Sequence, residues 1–201
     1  LWVLDPLDGT KDFIQGTGNY AMHLALNFKN KPILGVVLIP ERNELWISYS
    51  SKTVCFRNEL SQVKFDLGIN KKIQNMKLVT SKNHNNNFLL SLIERCNFRD
   101  FIKMGSVGCK IASILRGECD IYLSYSNPKG RTPKDWDFAA PEVILRSAGG
   151  ALTNLDNEEL IYNKEGFNQG GLIIASNNKY IHKNICLELK QIISRYKLLP
   201  N

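Results

Sequence analysis

Two carboxylates stand three residues apart near the start of the chain, in the run Asp5-Pro6-Leu7-Asp8-Gly9-Thr10. The apolar stretch before it, Leu1 to Leu4, predicts a buried strand that is ended by Pro6 and Gly9. Open α/β sheets bind their ligands at the carboxyl ends of strands, so both carboxylates are placed for binding. They would repel each other unless a cation or a proton lay between them, and carboxylate oxygens suit Mg²⁺. An Asp-Pro turn with a capping side chain explains the same residues without a metal.

A second acidic cluster, Lys134-Asp135-Trp136-Asp137, opens a helix that we predict over residues 135–148 and that Gly149 and Gly150 end. Asp137 falls in the first turn of this helix, where free N–H groups and the helix dipole stabilise a carboxylate. Simple capping therefore accounts for Asp137 as readily as metal binding does, and Asp135 competes for the capping position.

The composition limits the classes of function. The chain has 201 residues and a formal net charge of +7, which suits nucleic acid, an anionic membrane or a small anionic substrate. The lysines are scattered, and no basic stripe with interleaved aromatic residues is present, so we do not expect nucleic-acid binding. The apolar runs are too short to span a bilayer. Five cysteines without a CxxC pair indicate neither a disulfide framework nor a zinc site, and free thiols favour the cytoplasm.

The first part of the chain predicts a β-rich meander. Alternating apolar residues from Tyr20 to Phe28 indicate a half-buried strand with these apolar side chains on one side, and further strands are expected at 33–39, 45–50 and 53–57. His23, which lies in the first of these strands, is interpreted as structural. A polar stretch near Gln74 predicts a boundary between domains at 1–75 and 76–201.

The second part alternates strands and helices, which favours an α/β sandwich with two halves. Ser106 is the expected N-cap of a helix that runs to Arg116, with Gly117 past its end. The other expected elements are strands at 77–80, 100–104, 120–124 and 171–175, and helices at 87–95 and 179–196.

The two acidic strings, in this order, resemble the signatures of the inositol monophosphatase superfamily: Asp-Pro-x-Asp-Gly-Thr after a strand, then Trp-Asp with Ala-Gly-Gly further along. The resemblance covers the chain from Leu1 to about residue 176. Within the superfamily the chain is most similar to the 3′(2′),5′-bisphosphate nucleotidases. The matching segments are Lys11-Asp12-Phe13, Ser81-Lys82-Asn83-His84, the run from Gly105 to Lys110, and the run from Trp136 to Glu142.

This resemblance implies a layered αβαβα sandwich and a site with two or three Mg²⁺ ions. The implied metal ligands are Asp5, the Leu7 carbonyl, Asp8 and Asp137. Asp5 and Thr10 would be catalytic, Thr10 by orienting the attacking water. The remaining implied substrate contacts are the amides of Gly9 and Thr10 for the scissile phosphate, Asp137 beside it, and Ser81, His84, Ser106 and Lys110 for the nucleotide.

The implied reaction is removal of the 3′-phosphate from adenosine 3′,5′-bisphosphate or its sulfated relative, within sulfur metabolism and with sensitivity to lithium. Two alternatives stay open: a phosphatase for inositol phosphates or fructose 1,6-bisphosphate, and a non-catalytic protein that binds phosphate or nucleotide. The superfamily also uses a Glu-Glu pair and an acidic residue upstream of the first motif. Because no residue of this sequence precedes Leu1 to supply them, we expect it to be an N-terminally truncated piece, and its oligomeric state stays open.

Overall fold

The computed structural model describes residues 1–58, 61–62, 65, 71–82 and 86–198, and these form eleven β-strands and five α-helices. The strands are β1 (Trp2–Asp8), β2 (Ala21–Phe28), β3 (Lys31–Ile39), β4 (Glu44–Tyr49), β5 (Lys52–Arg57), β6 (Ser61–Gln62), β7 (Lys77–Ser81), β8 (Asp100–Met104), β9 (Ile121–Ser126), β10 (Ala151–Asn154) and β11 (Gly171–Ser176). The helices are α1 (Thr10–Ile14), α2 (Asn87–Cys96), α3 (Val107–Leu115), α4 (Asp135–Ser147) and α5 (Lys179–Arg195).

The strands form two sheets. The first is an antiparallel meander in the order β1-β2-β3-β4-β5-β6, as the β-rich first part of the sequence predicts. The second has the order β10-β11-β9-β7-β8 and is mixed, because β7 pairs in parallel with β8 and β9 whereas β11 is antiparallel to its neighbours. The second part therefore contains the crossover connections that alternating strands and helices indicate.

The helices complete a layered sandwich. Helices α3 and α4 lie between the two sheets, where one core cluster joins residues of both parts of the chain, among them Trp46, Ile111 and Phe138. Helices α2 and α5 cover the other face of the second sheet through a second cluster that includes Leu89 and Leu189. The sandwich architecture expected from the sequence is confirmed, while the domain boundary near Gln74 stays a prediction.

Strand β1 differs from the buried strand that its apolar sequence predicts. Val3 is buried, but Trp2 and Leu4 are 58% and 53% exposed, because β1 is an edge strand that pairs with β2 alone among the described strands. The strand also continues through Pro6 to Asp8. A proline is tolerated at the edge of a sheet, and here it lies within an irregularity of the pairing between Asp5 and Asp8.

Strand β2 alternates as predicted, but the buried side chains are the other set. Its inner face carries small and polar residues, namely Ala21, His23, Ala25 and Asn27. Helix α4 comes so close to the sheet that a Cβ on Gly35 of β3 would lie 2.5 Å from Val143 Cγ1. Such an approach requires small residues on the facing strands, which sends the larger apolar side chains of β2 to the outer face.

Two further observations concern the cysteines and the helices. The five cysteine side chains are all buried. Within the described residues, no helix is both long and apolar enough to cross a membrane.

Candidate metal centre and phosphate pocket

The first acidic motif lies at the end of β1, where the strand irregularity brings Asp5 and Asp8 to the same side. The Leu7 amide donates a hydrogen bond to Asp5 Oδ1 at 3.0 Å, which fixes the turn between them. Gly9 then enters α1 with a φ of 84°, in the left-handed region, and a Cβ there would lie 2.7 Å from the Asn19 carbonyl. This position therefore requires glycine.

Asp137 comes from the first turn of α4. The backbone amide of Lys134 donates to Asp137 Oδ2 at 2.5 Å and closes the capping arrangement that the sequence indicates. Asp135 takes a different role, since its fully buried carboxylate accepts hydrogen bonds from Gln169 Nε2 and the Asn163 amide. Capping and site formation are thus combined in Asp137, while Asp135 anchors the loop that follows β10.

The carboxylates of Asp5, Asp8 and Asp137 converge, with one oxygen from each lying within 4.8 Å of the others. Burial and then the charges of Asp8 and Asp5 raise the pKa of Asp137 to about 7, and burial and Asp8 raise the pKa of Asp5. A bound cation would relieve the repulsion between these carboxylates, and a set of hard oxygen donors suits Mg²⁺. The residues present therefore fit the metal that the sequence predicts.

The start of α3 fixes the Asp8 carboxylate by hydrogen bonds. Its Oδ2 atom accepts hydrogen bonds from Ser106 Oγ at 2.7 Å and from the Val107 amide at 2.6 Å, which leaves Oδ1 for a cation. Ser106 Oγ also accepts from the Cys109 amide, so the predicted N-cap is confirmed. Ser106 is completely buried and bonded to Asp8, and its expected contact with a nucleotide stays a prediction.

The carboxylates line a cavity of about 630 Å³. Thr10 is part of its wall, and its hydroxyl donates to the Leu7 carbonyl at 2.9 Å. The cavity is also lined by basic side chains from separate segments: Lys11, Lys82, Lys110, Arg131 and Lys134. Acidic and basic groups therefore share one cavity, as binding of a metal together with an anion requires.

Ser81 and Lys110, both expected to contact a nucleotide, meet at the floor of this cavity. Lys110 is 1% exposed, and its ammonium donates to Ser81 Oγ at 3.0 Å and to the Gly105 carbonyl at 2.9 Å. Burial lowers the pKa of Lys110, although the nearby Asp8 counteracts this. His84, the third expected contact, lies outside the described residues.

A second cavity, of about 540 Å³, lies on the first sheet between β3, β4 and β5. Its lining contains one carboxylate, Glu44, which is already paired with Arg57 and Arg116. Because this cavity offers no free reactive group among its described residues, it does not compete with the carboxylate pocket as a functional site.

The sequence did not point to His23 as part of the site. Its Nε2 atom lies 3.3 Å from Asp8 Oδ2. In the sequence, however, His23 is only a polar residue within an alternating, half-buried strand. The basic side chains of Lys11, Lys82 and Lys134 were likewise not predicted, because scattered lysines carry no local signal. Arg131, in the loop before the second motif, also lines the cavity.

Comparisons with known proteins agree with this geometry. The model of the inositol monophosphatase family matches residues 1–194, and the chain therefore belongs to that family. It is 29% identical over 188 residues to mouse 3′(2′),5′-bisphosphate nucleotidase 1, covering 89% of this chain and 58% of the relative. It is also 29% identical over 163 residues to the Nus factor SuhB of Haemophilus influenzae, covering 77% of this chain and 57% of the relative. The chain thus spans less than two thirds of the length of either protein.

The fold has solved counterparts. An inositol monophosphatase from Zymomonas mobilis superposes with a TM-score of 0.77 at 23% identity, covering 94% of this chain and 70% of that structure. At this identity the likeness shows the fold alone. The expected architecture is therefore supported independently of the expected substrate.

Proposed function

We propose that this protein is a Mg²⁺-dependent phosphatase that hydrolyses phosphate monoesters with a metal-activated water. The observation that carries the proposal is the convergence of three carboxylates within 4.8 Å in a cavity that basic side chains also line. A carboxylate cluster alone would repel an anionic ester. With Mg²⁺ bound, the same cluster attracts the ester through the metal, and the basic residues add to that attraction.

Asp5, Asp8, Asp137 and the Leu7 carbonyl would hold the metal. When bound, Mg²⁺ lowers the pKa of a coordinated water and neutralises charge on the leaving oxygen. The chain prepares this site in advance, because Ser106 and the Val107 amide already fix the orientation of the Asp8 carboxylate. Preorganised ligands of this kind need little rearrangement during the reaction.

Thr10 is the residue we assign to orienting the water. Its hydroxyl donates its hydrogen to the Leu7 carbonyl, so the lone pairs of Oγ1 could accept a hydrogen bond from a water in the cavity. The side chains of Lys11, Lys82 and Arg131 line the same cavity and would draw in and orient the anionic substrate.

The favoured substrate is adenosine 3′,5′-bisphosphate. Its support is the nucleotidase-type continuation of the motifs at Lys11-Asp12-Phe13 and from Trp136 to Glu142, together with the match to the mouse nucleotidase. Two phosphate groups would also make use of basic side chains that come from separate segments of the chain.

An inositol monophosphate is the second candidate. The match of residues 1–194 to the model of the inositol monophosphatase family favours it. Both candidates use the same carboxylates, so they differ in the basic part of the cavity and not in the metal centre.

The test is phosphate release from adenosine 3′,5′-bisphosphate, inositol 1-phosphate and fructose 1,6-bisphosphate, with Mg²⁺, with Mg²⁺ plus Li⁺, and with a chelator. We expect the adenosine compound to be hydrolysed fastest and the reaction to stop without Mg²⁺. Faster hydrolysis of inositol 1-phosphate would replace the substrate and keep the enzyme class.

Asp8→Asn removes a proposed metal ligand and should abolish release. Asp156→Asn is the matched control, because Asp156 is exposed and pairs with Lys190 on α5, away from the cavity. Unchanged hydrolysis by Asp8→Asn would reject the carboxylate cluster as the catalytic metal centre. Mg²⁺ binding with no hydrolysis of any of the three phosphate monoesters would reject the phosphatase assignment and favour a binding protein.

A further inference from the structure

His23 lies on the buried face of β2, directly opposite Asp5 in the pairing of β1 with β2, and is 1% exposed. Its Nε2 atom lies 3.3 Å from Asp8 Oδ2, without the alignment of a hydrogen bond. Its Nδ1 atom lies 3.3 Å from the carbonyl oxygen of Trp136, the residue before Asp137. One imidazole therefore touches both segments that carry the carboxylate cluster.

The ring is also fixed from a third side. Gly108, in the first turn of α3, packs against it so closely that a Cβ there would lie 2.4 Å from Nε2. The same turn of α3 holds Asp8 through the Val107 amide. Strand β2, helix α3 and helix α4 thus meet at this imidazole, and their mutual spacing sets where the carboxylates stand.

We propose that His23 is a positioning residue for the metal centre, which sets the separation of Asp8 from Asp137 without binding the metal itself. The inference rests on the proposed function, since it requires the carboxylates to be metal ligands. Groups that orient metal ligands from behind commonly change metal affinity or activity by about 10–100-fold when they are replaced.

His182 is a natural comparison within the same chain. It is also buried, but its two ring nitrogens lie 2.8 Å from the hydroxyls of Thr153 and Ser176 on the second sheet. Replacing His182 therefore disturbs a buried hydrogen-bonded histidine without touching the carboxylate cluster, which separates loss of packing from loss of positioning.

The experiment measures Mg²⁺ binding by calorimetry and the Mg²⁺-induced rise in the thermal midpoint of unfolding, for wild type, His23→Gln, His23→Asn and His182→Gln. Glutamine can place its amide where Nε2 stands and keep the contact with Asp8, whereas asparagine reaches only the position of Nδ1. We expect His23→Asn to weaken Mg²⁺ binding about tenfold or more and His23→Gln by a smaller factor of about three.

His182→Gln should lower the thermal midpoint of the metal-free protein and leave Mg²⁺ affinity unchanged. Wild-type Mg²⁺ affinity in either folded His23 variant would overturn the inference and leave the phosphatase proposal standing. If one variant does not fold, the measurement on the other still decides the question. Equal weakening by His182→Gln would also overturn it, because the effect would then be general loss of packing. Absence of Mg²⁺ binding by the wild type would instead reject the proposed metal centre.

Discussion

Gly105 and Asp12 are packed so closely that a Cβ on Gly105 would lie 2.1 Å from Asp12 Oδ2 and 2.6 Å from its Cγ. Asp12 is 1% exposed, accepts a hydrogen bond from Thr17 Oγ1 and lies 3.8 Å from the ammonium of Lys82. The contact joins α1, which follows the first acidic motif, to the turn whose Ser106 holds Asp8. The spacing of the two segments therefore depends on a residue without a side chain at position 105.

Gly105→Ala should displace this turn and lower both phosphate release and the thermal midpoint of unfolding. A misplacement of about 1 Å costs up to about a hundredfold in rate, so we expect a loss of that order in kcat/KM. Adding Asp12→Gly removes the clashing atoms and should restore much of the loss, less about 0.3 kcal/mol of helix stability.

Gly130→Ala is the control for this pair, because the nearest atom to its added Cβ is 3.5 Å away. If Gly105→Ala changes phosphate release and the thermal midpoint no more than Gly130→Ala does, the close packing of Asp12 against the turn does not contribute to activity or stability.

Asp137 makes the stability of the metal-free protein depend on pH. Folding raises the pKa of its carboxyl to about 7, so between about pH 4 and pH 7 the folded chain binds more protons than the unfolded chain. Stability therefore falls as the pH rises through this range. Asp137→Asn should make the metal-free protein more stable at pH 8 by on the order of 1–2 kcal/mol, since it removes the buried charge.

Urea unfolding at pH 5.5 and pH 8, with a chelator and with saturating Mg²⁺, measures this effect. In Mg²⁺ the order should reverse, because only the wild type gains stability from the bound ion. A chelated wild type as stable as Asp137→Asn at pH 8 would show that the carboxylate repulsion is already relieved by other means.

The acidic strings and helix ends were predictable because their signals are local. Asp137 follows the start of α4 directly, and Ser106 carries its capping role within three residues. The second bond of Ser106, to Asp8, joins residues 98 positions apart, so no local pattern could indicate it. The difference between capping a helix and holding a metal ligand appears only when the two sheets are packed together.

The orientation of β2 shows a second limit. Alternation from Tyr20 to Phe28 identifies a strand, but it does not tell which face a helix will approach. Here α4 packs closely against the face of β2 that carries the small side chains of Ala21 and Ala25. His23 alternates with these two residues, so it lies on the same inner face, beside Asp8. A histidine that looks structural in the sequence thus becomes part of the site through the packing of a helix more than a hundred residues away.

His182 should make the protein sensitive to acid. Burial lowers the pKa of its imidazole to about 4, so the unfolded chain takes up a proton below about pH 6.5 that the folded chain does not bind. Stability is therefore lost as the pH falls from about 6.5 toward 4. The stability advantage of the wild type over His182→Gln should be smaller at pH 5 than at pH 7.5 by roughly 2 kcal/mol.

The measurement is urea unfolding of both proteins at the two pH values, where contributions from all shared groups cancel in the difference. A constant advantage of the wild type across this range would mean that His182 is protonated as readily in the folded protein as in the unfolded one.

Lys110 lets the effects of charge on metal and on substrate be separated. Its buried ammonium lies near Asp8 and Asp137 and bonds to Ser81 at the floor of the cavity. A positive charge there favours an anionic substrate and opposes binding of a cation. Lys110→Met keeps most of the side-chain volume, so we expect KM for the phosphate ester to rise by about tenfold and Mg²⁺ to bind more tightly.

Lys190→Met, on the exposed side of α5, is the matched control and should change neither quantity. Kinetics at varied substrate and varied Mg²⁺ separate the two effects, because general loss of packing would weaken both kinds of binding together. Opposite shifts would therefore identify a charge effect of Lys110. If neither quantity moves, the ammonium contributes only through its contacts with Ser81, Gly105 and the ring of Tyr122, 5.3 Å away.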